Sequence, residues 1–400
     1  MTIERKDERC DGYGSALERS ARRLEESARK LDEERWQAPA LCSALLATPA
    51  GQREVCLRDD ARLRTWGVLE LLVEQSAEMA IHSPQRAEEL ARLALRLSDL
   101  LDRDRYPAGL IEDLRARAWA SLGNARRVGS DLRGAAAAFA AAATHLARGT
   151  GDPLERAFLL DLEASLLRDQ RRFPEAQALL RRAIGIFLHE GERHRAGRSL
   201  VNLSTVHEQA AAPEQAIGPL HRALGLIDGE AEPRLLLCAV HNLITNLVGC
   251  GRSREARALA GRARPLYRAA PDAWTRNRRL WVLGRIAVGL GRPRSAERLF
   301  RAAREGFIAE GVPYDTALVS LDLALLFAGQ QRTQELRCLA EEMMTIFASR
   351  QIHREALAAL TFLKSAVEAE QASVEVVRRV AAYLQRAEHD PALPFEAGTR

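Results

Sequence analysis

The chain has 400 residues, with 59 basic and 54 acidic side chains, a net charge of +5 and a pI near 9.0. Only three basic residues are lysine (Lys6, Lys30, Lys364), so the high pI reflects an arginine bias. So small a charge on this length excludes a dedicated nucleic-acid binder. Aromatics make up 5% of the chain and alanine and leucine dominate, which points to helix rather than sheet.

The first residues, MTIERKDERCDGYG, are charged and lack the apolar run of a secretory leader. No stretch reaches the ~18–20 uncharged apolar residues of a membrane span. A cytoplasmic protein with no membrane contact is expected. Six cysteines (Cys10, Cys42, Cys56, Cys238, Cys250, Cys338) form no Cys-x-x-Cys pair, so neither a disulfide framework nor a zinc site is expected.

Residues 13–36 read as a charged helix in which Leu17, Leu24 and Leu31 recur every seven positions. Two readings follow: a short seam for self-association, or a helix laid on the first repeat. Pro39 and Pro49 bracket a second, short helix, and Trp66 opens the first repeat-like pair.

From there the chain repeats. PEAQALLRRAI, PEQAIGPLHRAL, SREARALAGRAR and PRSAERLFRAAR place Ala176, Ala216, Ala256 and Ala296 at a 40-residue step. Ala183, Ala223, Ala263 and Ala303 keep the same step. The phase runs on to Leu336 and Met343, and back to Ala135 or Ala136; a weaker copy holds Ala87 and Ala94. Each unit reads as two amphipathic helices, with the small anchors letting them approach closely. Pro174, Pro213 and Pro293 suit the start of a second helix, Gly251 the end of a first, and Ser253 a cap. One unit cannot bury its apolar face alone, so neighbours must stack.

Trp119-x-x-Leu122-Gly123, followed by Ala135, Phe139 and Ala142, resembles the tetratricopeptide signature. The step of 40 is longer than the usual ~34 and is similar to the long-repeat arrays of kinesin light chains and bacterial peptide-sensing regulators. The resemblance implies an all-α right-handed solenoid of about seven units. It divides the chain into a charged N-terminal helical region (1–60), the solenoid (61–390, closed by a hairpin over 353–370 and 373–390) and a tail (391–400).

The motifs of catalysis are missing: no Gly-rich phosphate loop, no His-Glu-x-x-His and no Gly-x-Ser-x-Gly. His189 with His194 could suggest a metal and Cys238 with His241 a nucleophile pair, yet neither brings convergent partners. No enzyme, cofactor, metal or direct nucleic-acid contact is expected.

What the resemblance leaves for function is the concave face lined by the first helix of each unit. Counted from the anchors, one unit offers Arg198, Val201, Asn202, Thr205 and Glu208. The next offers Cys238, His241, Asn242, Thr245 and Val248, and the one after that Arg278, Trp281, Val282, Arg285 and Val288. Upstream lie Asp161, Ser165 and Arg168, then Arg117, Asn124 and Arg127. The Asn–Thr pairs suit the backbone of an extended peptide, and the arginines suit carboxylates. Alternatively, the asparagines support repeat packing. The expected function is a non-catalytic scaffold for a protein or peptide ligand with acidic groups. A second reading is a peptide-responsive signalling or transcription-associated regulator with the N-terminal helices as its effector surface.

Overall fold

The computed structural model describes residues 8–348 and 373–387, with single positions at 360, 361, 363, 367 and 395. Most of the hairpin expected over 353–370 and of the tail over 391–400 lies outside the described residues, as do the side chains of Leu17 and Leu24. The described residues form eighteen α-helices and no strand. They fall into two compact units, residues 1–166 and 167–400.

Unit 1 begins with α1 (Glu8–Ala47) and α2 (Arg53–Asp59). It continues with the pairs α3 (Trp66–Met79) with α4 (Pro84–Leu100) and α5 (Ala108–Val128) with α6 (Leu132–Leu146), then most of α7 (Pro153–Asp169). α1 is continuous through Pro39, so the expected break there does not occur. A proline inside a helix forfeits one backbone hydrogen bond and crowds the preceding turn, at ~3 kcal/mol. Here the following turns are held by burial of Ala38, Cys42 and Leu45 in the core that α1 shares with α3 and α4. Leu31 is half-buried against the same core. Glu34, only 5% exposed, reaches across to accept from the Trp66 backbone N–H (2.9 Å) and the Tyr106 hydroxyl (2.8 Å) and to pair with Arg105. A carboxylate from α1 thereby occupies the electropositive first turn of α3.

Unit 2 opens with the end of α7 and α8 (Phe173–His189). Four helix pairs follow: α9 (Arg193–Gln209) with α10 (Pro213–Leu224), α11 (Pro233–Gly249) with α12 (Ser253–Arg262) and α13 (Arg264–Ala269), α14 (Ala273–Gly289) with α15 (Pro293–Glu310), and α16 (Pro313–Gly329) with α17 (Thr333–Ala348). A last helix, α18 (Val374–Ala387), packs on α16. The first helices α7, α9, α11, α14 and α16 start at 153, 193, 233, 273 and 313, the 40-residue step of the sequence.

The turn within each pair repeats as strictly. Arg171, Ala211, Gly251, Gly291 and Gln331 all hold a left-handed φ of 58–73°. In each case the next N–H bonds five residues back, from Arg172 to Leu167 through Arg332 to Phe327, at 2.8–3.0 Å. This closes the helix end by satisfying its orphan carbonyls. Ser253 does not cap α12; it is the first helical residue and is 3% exposed, and no side chain caps that end.

The eight anchor alanines from Ala176 to Ala303 are at most 3% exposed, and so are Ala135, Ala142, Leu336 and Met343. A second size relation links each pair at a separation of sixteen. A Cβ on Gly123 would meet Phe139 at 2.8 Å, and one on Gly284 would meet Phe300 at 2.4 Å. The equivalent positions in the intervening repeats of unit 2 hold Ser204 with Leu220 and Ile244 with Ala260, all buried. Where one member grows the other shrinks, as close packing of the interior requires.

Candidate functional site

The first helices of each unit present their outward residues at the 40-residue step, so equivalent side chains fall in register on neighbouring helices. In unit 1 this face is largely occupied by its own partners. Arg117 on α5 donates from Nε to both carboxylate oxygens of Glu155 on α7, at 2.7 and 2.8 Å. Arg127 donates to Asn124 Oδ1 at 2.8 Å, so these two predicted ligand contacts engage each other. Ser165 bonds back to the Asp161 carbonyl at 3.3 Å. At the start of unit 2, Arg168, in the last turn of α7, turns to Asp169 at 2.8 Å.

In unit 2, α9, α11 and α14 lie side by side. Asn202 and Thr205 on α9 and Asn242 and Thr245 on α11 are half-buried, forming two equivalent rungs of amide and hydroxyl. Thr205 also bonds the Val201 carbonyl at 3.2 Å. Charged groups bridge the rungs. Glu232, just before α11, accepts from His194 Nε2 at 3.0 Å and from Arg198. Asp322 on α16 accepts from Arg285 Nε at 2.7 Å and Trp281 Nε1 at 2.6 Å. Asn246 donates weakly to Glu208 at 3.5 Å and more closely to the Asn242 carbonyl at 2.8 Å.

These contacts correct several expectations. Arg117, Arg198 and Arg285 are each held by a carboxylate two helices further along the chain, so they do not form an open cationic stripe. Trp281 is 8% exposed, with its ring edge-on to Phe307 at 6.2 Å; it belongs to the core, with Val201 and Val282. His194 lies in the first turn of α9. Its Nδ1 accepts from the Asp228 N–H at 3.0 Å, which leaves the proton on Nε2 for Glu232. Among the described residues no three His, Cys, Asp or Glu side chains gather as a metal site.

Arg278 on α14 is different. It lies over the Trp274 ring at 4.8 Å, and its buried Nε has no hydrogen-bond partner among the described residues. Its charge acts on Glu208, Cys238, His241, Tyr267 and Asp315, side chains from α9, α11, α13 and α16. Burial is the largest influence on all five. It pushes the Glu208 and Asp315 carboxyls and the Cys238 thiol up, Tyr267 up to about 12 and His241 down to about 3, the last helped by Arg278 and Arg285. His241 is therefore neutral at physiological pH, its Nδ1 2.8 Å from the Tyr267 hydroxyl. Glu208 and Cys238 remain exposed to water, although the protein around them disfavours their charged forms.

Tyr267, Trp274, Asp315, Glu232 and Asp322 were not singled out by sequence. For Asp322 a signal exists: the step that links Asn202 to Asn242 passes through Val282 to reach it. Tyr267 carries no such periodicity, because α13 is a short helix after the anchor Ala263.

No protein-family model matches the sequence, and no match is found among curated proteins. Solved structures do match. The apo form of RapI aligns at 13% identity over 90% of this chain and 98% of that one, with a TM-score of 0.59. A Rap protein complexed with competence and sporulation factor aligns at 11% identity over 80% of this chain and 87% of that one, with a TM-score of 0.58. At such identities the likeness is one of fold. The chain is built as the tetratricopeptide-type array of helix pairs that its sequence resembles.

Proposed function

We propose that the protein is a binding scaffold whose first-helix face in unit 2 holds an extended peptide or a partner segment. The observation that carries this is the pair of equivalent rungs, Asn202 with Thr205 and Asn242 with Thr245, half-buried on adjacent helices. An amide both donates and accepts, so two of them one helix spacing apart can meet a ligand's main chain whatever its sequence. The neighbouring arginines and carboxylates, by pairing with each other, fix the helices that carry the rungs. The Rap structure obtained with competence and sporulation factor supports a ligand on an array of this fold.

Each neutral hydrogen bond lost should cost about 0.5–1.5 kcal/mol. Asn202→Ala with Asn242→Ala should then weaken binding about 5- to 150-fold. The test is to select random dodecapeptides on the wild-type protein and titrate the best binder against the double variant. Loss in that range with an unchanged melting temperature is the expected result. Unchanged affinity would move the binding surface elsewhere.

A further inference from the structure

Away from the first-helix rungs, α8, α10 and α12 with α13 carry eight arginines against three glutamates. Each glutamate sits in a first turn and is already held, Glu175 by Arg172 and both Glu214 and Glu255 by Arg252. One arginine recurs at the 40-residue step, in the triplets Ala178–Arg182–Gly185, Gly218–Arg222–Gly225 and Ala258–Arg262–Pro265. All nine residues are exposed, and the three arginines pair with no acid among the described residues. Positions i, i+4 and i+7 of a helix share a face, so each arginine stands between neighbours with little side chain. α8 and α10 both pack on α9, and α10 and α12 both on α11, which presents that face three times. In α15 the arginine gives way to Ala302, and the series ends.

The bare positions are not all demanded by the fold. A Cβ on Gly185 or Gly218 would meet nothing within 4 Å. Gly218 precedes Pro219 inside α10, where a residue with a Cβ is disfavoured in a helix. Gly185 has no proline after it, and an interior glycine weakens a helix relative to alanine. What glycine offers at such a place is room for another main chain to come close.

We propose that this second-helix face of unit 2 docks a helix of a partner protein along an acidic stripe. Its carboxylates meet Arg182, Arg222 and Arg262, and its backbone lies near Gly185. The charge calls for an anion, and the bare positions choose among anions. A long arginine reaches a phosphate from any helix surface, so nucleic acid gains nothing from them. Helix N-termini, which also hold phosphates, are closed to them here by Glu175, Glu214 and Glu255. A carboxylate stripe on a close-packed helix uses both features. This surface is separate from the rungs of Asn202 and Asn242 and does not depend on them.

The probe is a fluorescein-labelled, amidated peptide of three Ala-Glu-Ala-Ala-Glu-Ala-Gln heptads, whose glutamates form one stripe on a helix. Its controls are a peptide of the same composition with the glutamates spread round the helix, and a labelled DNA duplex of about 20 base pairs. Binding to the full chain is followed by fluorescence anisotropy. The striped peptide should bind at least about threefold more tightly than the spread one, and less tightly as salt is added. Arg182→Gln with Arg222→Gln and Arg262→Gln should weaken it about 3- to 150-fold. Gly185→Leu should weaken it about 5- to 150-fold while its melting temperature stays level or rises. Asn202→Ala with Asn242→Ala should leave it unchanged. Equal affinity for the spread peptide, or tighter binding of the duplex, overturns the proposal in favour of unspecific charge or of nucleic acid. Undiminished binding by the arginine variant or by Gly185→Leu overturns it too, as does a lowered melting temperature of Gly185→Leu, which would show the glycine serving the fold. Loss of binding in the asparagine variant would place the peptide on the first helices instead, and no anisotropy change at about 1 mM protein would leave the face without a partner of this chemistry.

Discussion

Arg171, Ala211 and Gln331 hold a positive φ at turns where Gly251 and Gly291 hold the same angle without a Cβ. For a residue with a side chain this region costs roughly 1–2 kcal/mol. Replacing Ala211 by glycine removes that strain but frees the unfolded chain, so the net gain should be about 0.5–1 kcal/mol. Gly251→Ala should lose about 1 kcal/mol. Urea denaturation of the two variants checks both signs, and a destabilised Ala211→Gly would mean that the turn is held by something other than backbone angle. At this scale the sequence showed which side chains share a face, because Asn202 and Asn242 are related by the repeat. It did not show which of them would be occupied. Arg198 and Arg285 find Glu232 and Asp322 at separations of 34 and 37, slightly off the step, and no local pattern announces such a pair.

Helices meet in pairs whose contact is tuned by size, and Gly284 against Phe300 is the tighter of the two glycine–phenylalanine examples. Gly284→Ala places a Cβ 2.4 Å from the Phe300 ring. Overpacking of this kind costs about 1–3 kcal/mol, more than the helix propensity that alanine adds. Ser204 with Leu220 shows a comparable combination of a small residue with leucine, so Phe300→Leu should recover most of the loss. A melting-temperature cycle of the two single variants and the double variant tests it; additive losses would show that the positions do not share one contact. The helices themselves were legible in the sequence, because alanine anchors, prolines and apolar spacing all report the same period. Two local signals misled. Pro39 breaks a helix only when nothing else holds the turns around it, and the burial of Ala38 and Cys42 is a tertiary fact. Ser253 has the composition of a cap, yet it is drawn into the packing instead.

For the molecule, stability in a repeat array is a sum of units and the interfaces between neighbours. Ala256, fully buried between α11 and α12, should therefore report locally. Ala256→Leu should cost about 1–3 kcal/mol. In amide hydrogen exchange, protection should fall over residues 233–289 and stay unchanged over residues 84–146. Uniform loss across both ranges would show one cooperative body in place of a chain of neighbours. The left-handed turns carry the same logic into ligand length. Arg171, Ala211, Gly251, Gly291 and Gln331 are interchangeable points of backbone, so removing residues 212–251 would join Ala211 to Arg252 in the conformation each already has. Such a splice deletes α10 and α11, and with them the rung of Asn242 and Thr245, and brings α9 up to α12 as its new pair partner. Adjacent helices lie about 8–10 Å apart, and an extended chain advances about 3.3 Å per residue. On the proposed reading each repeat would then measure about three residues of ligand, and the array would work as a ruler graduated by helices.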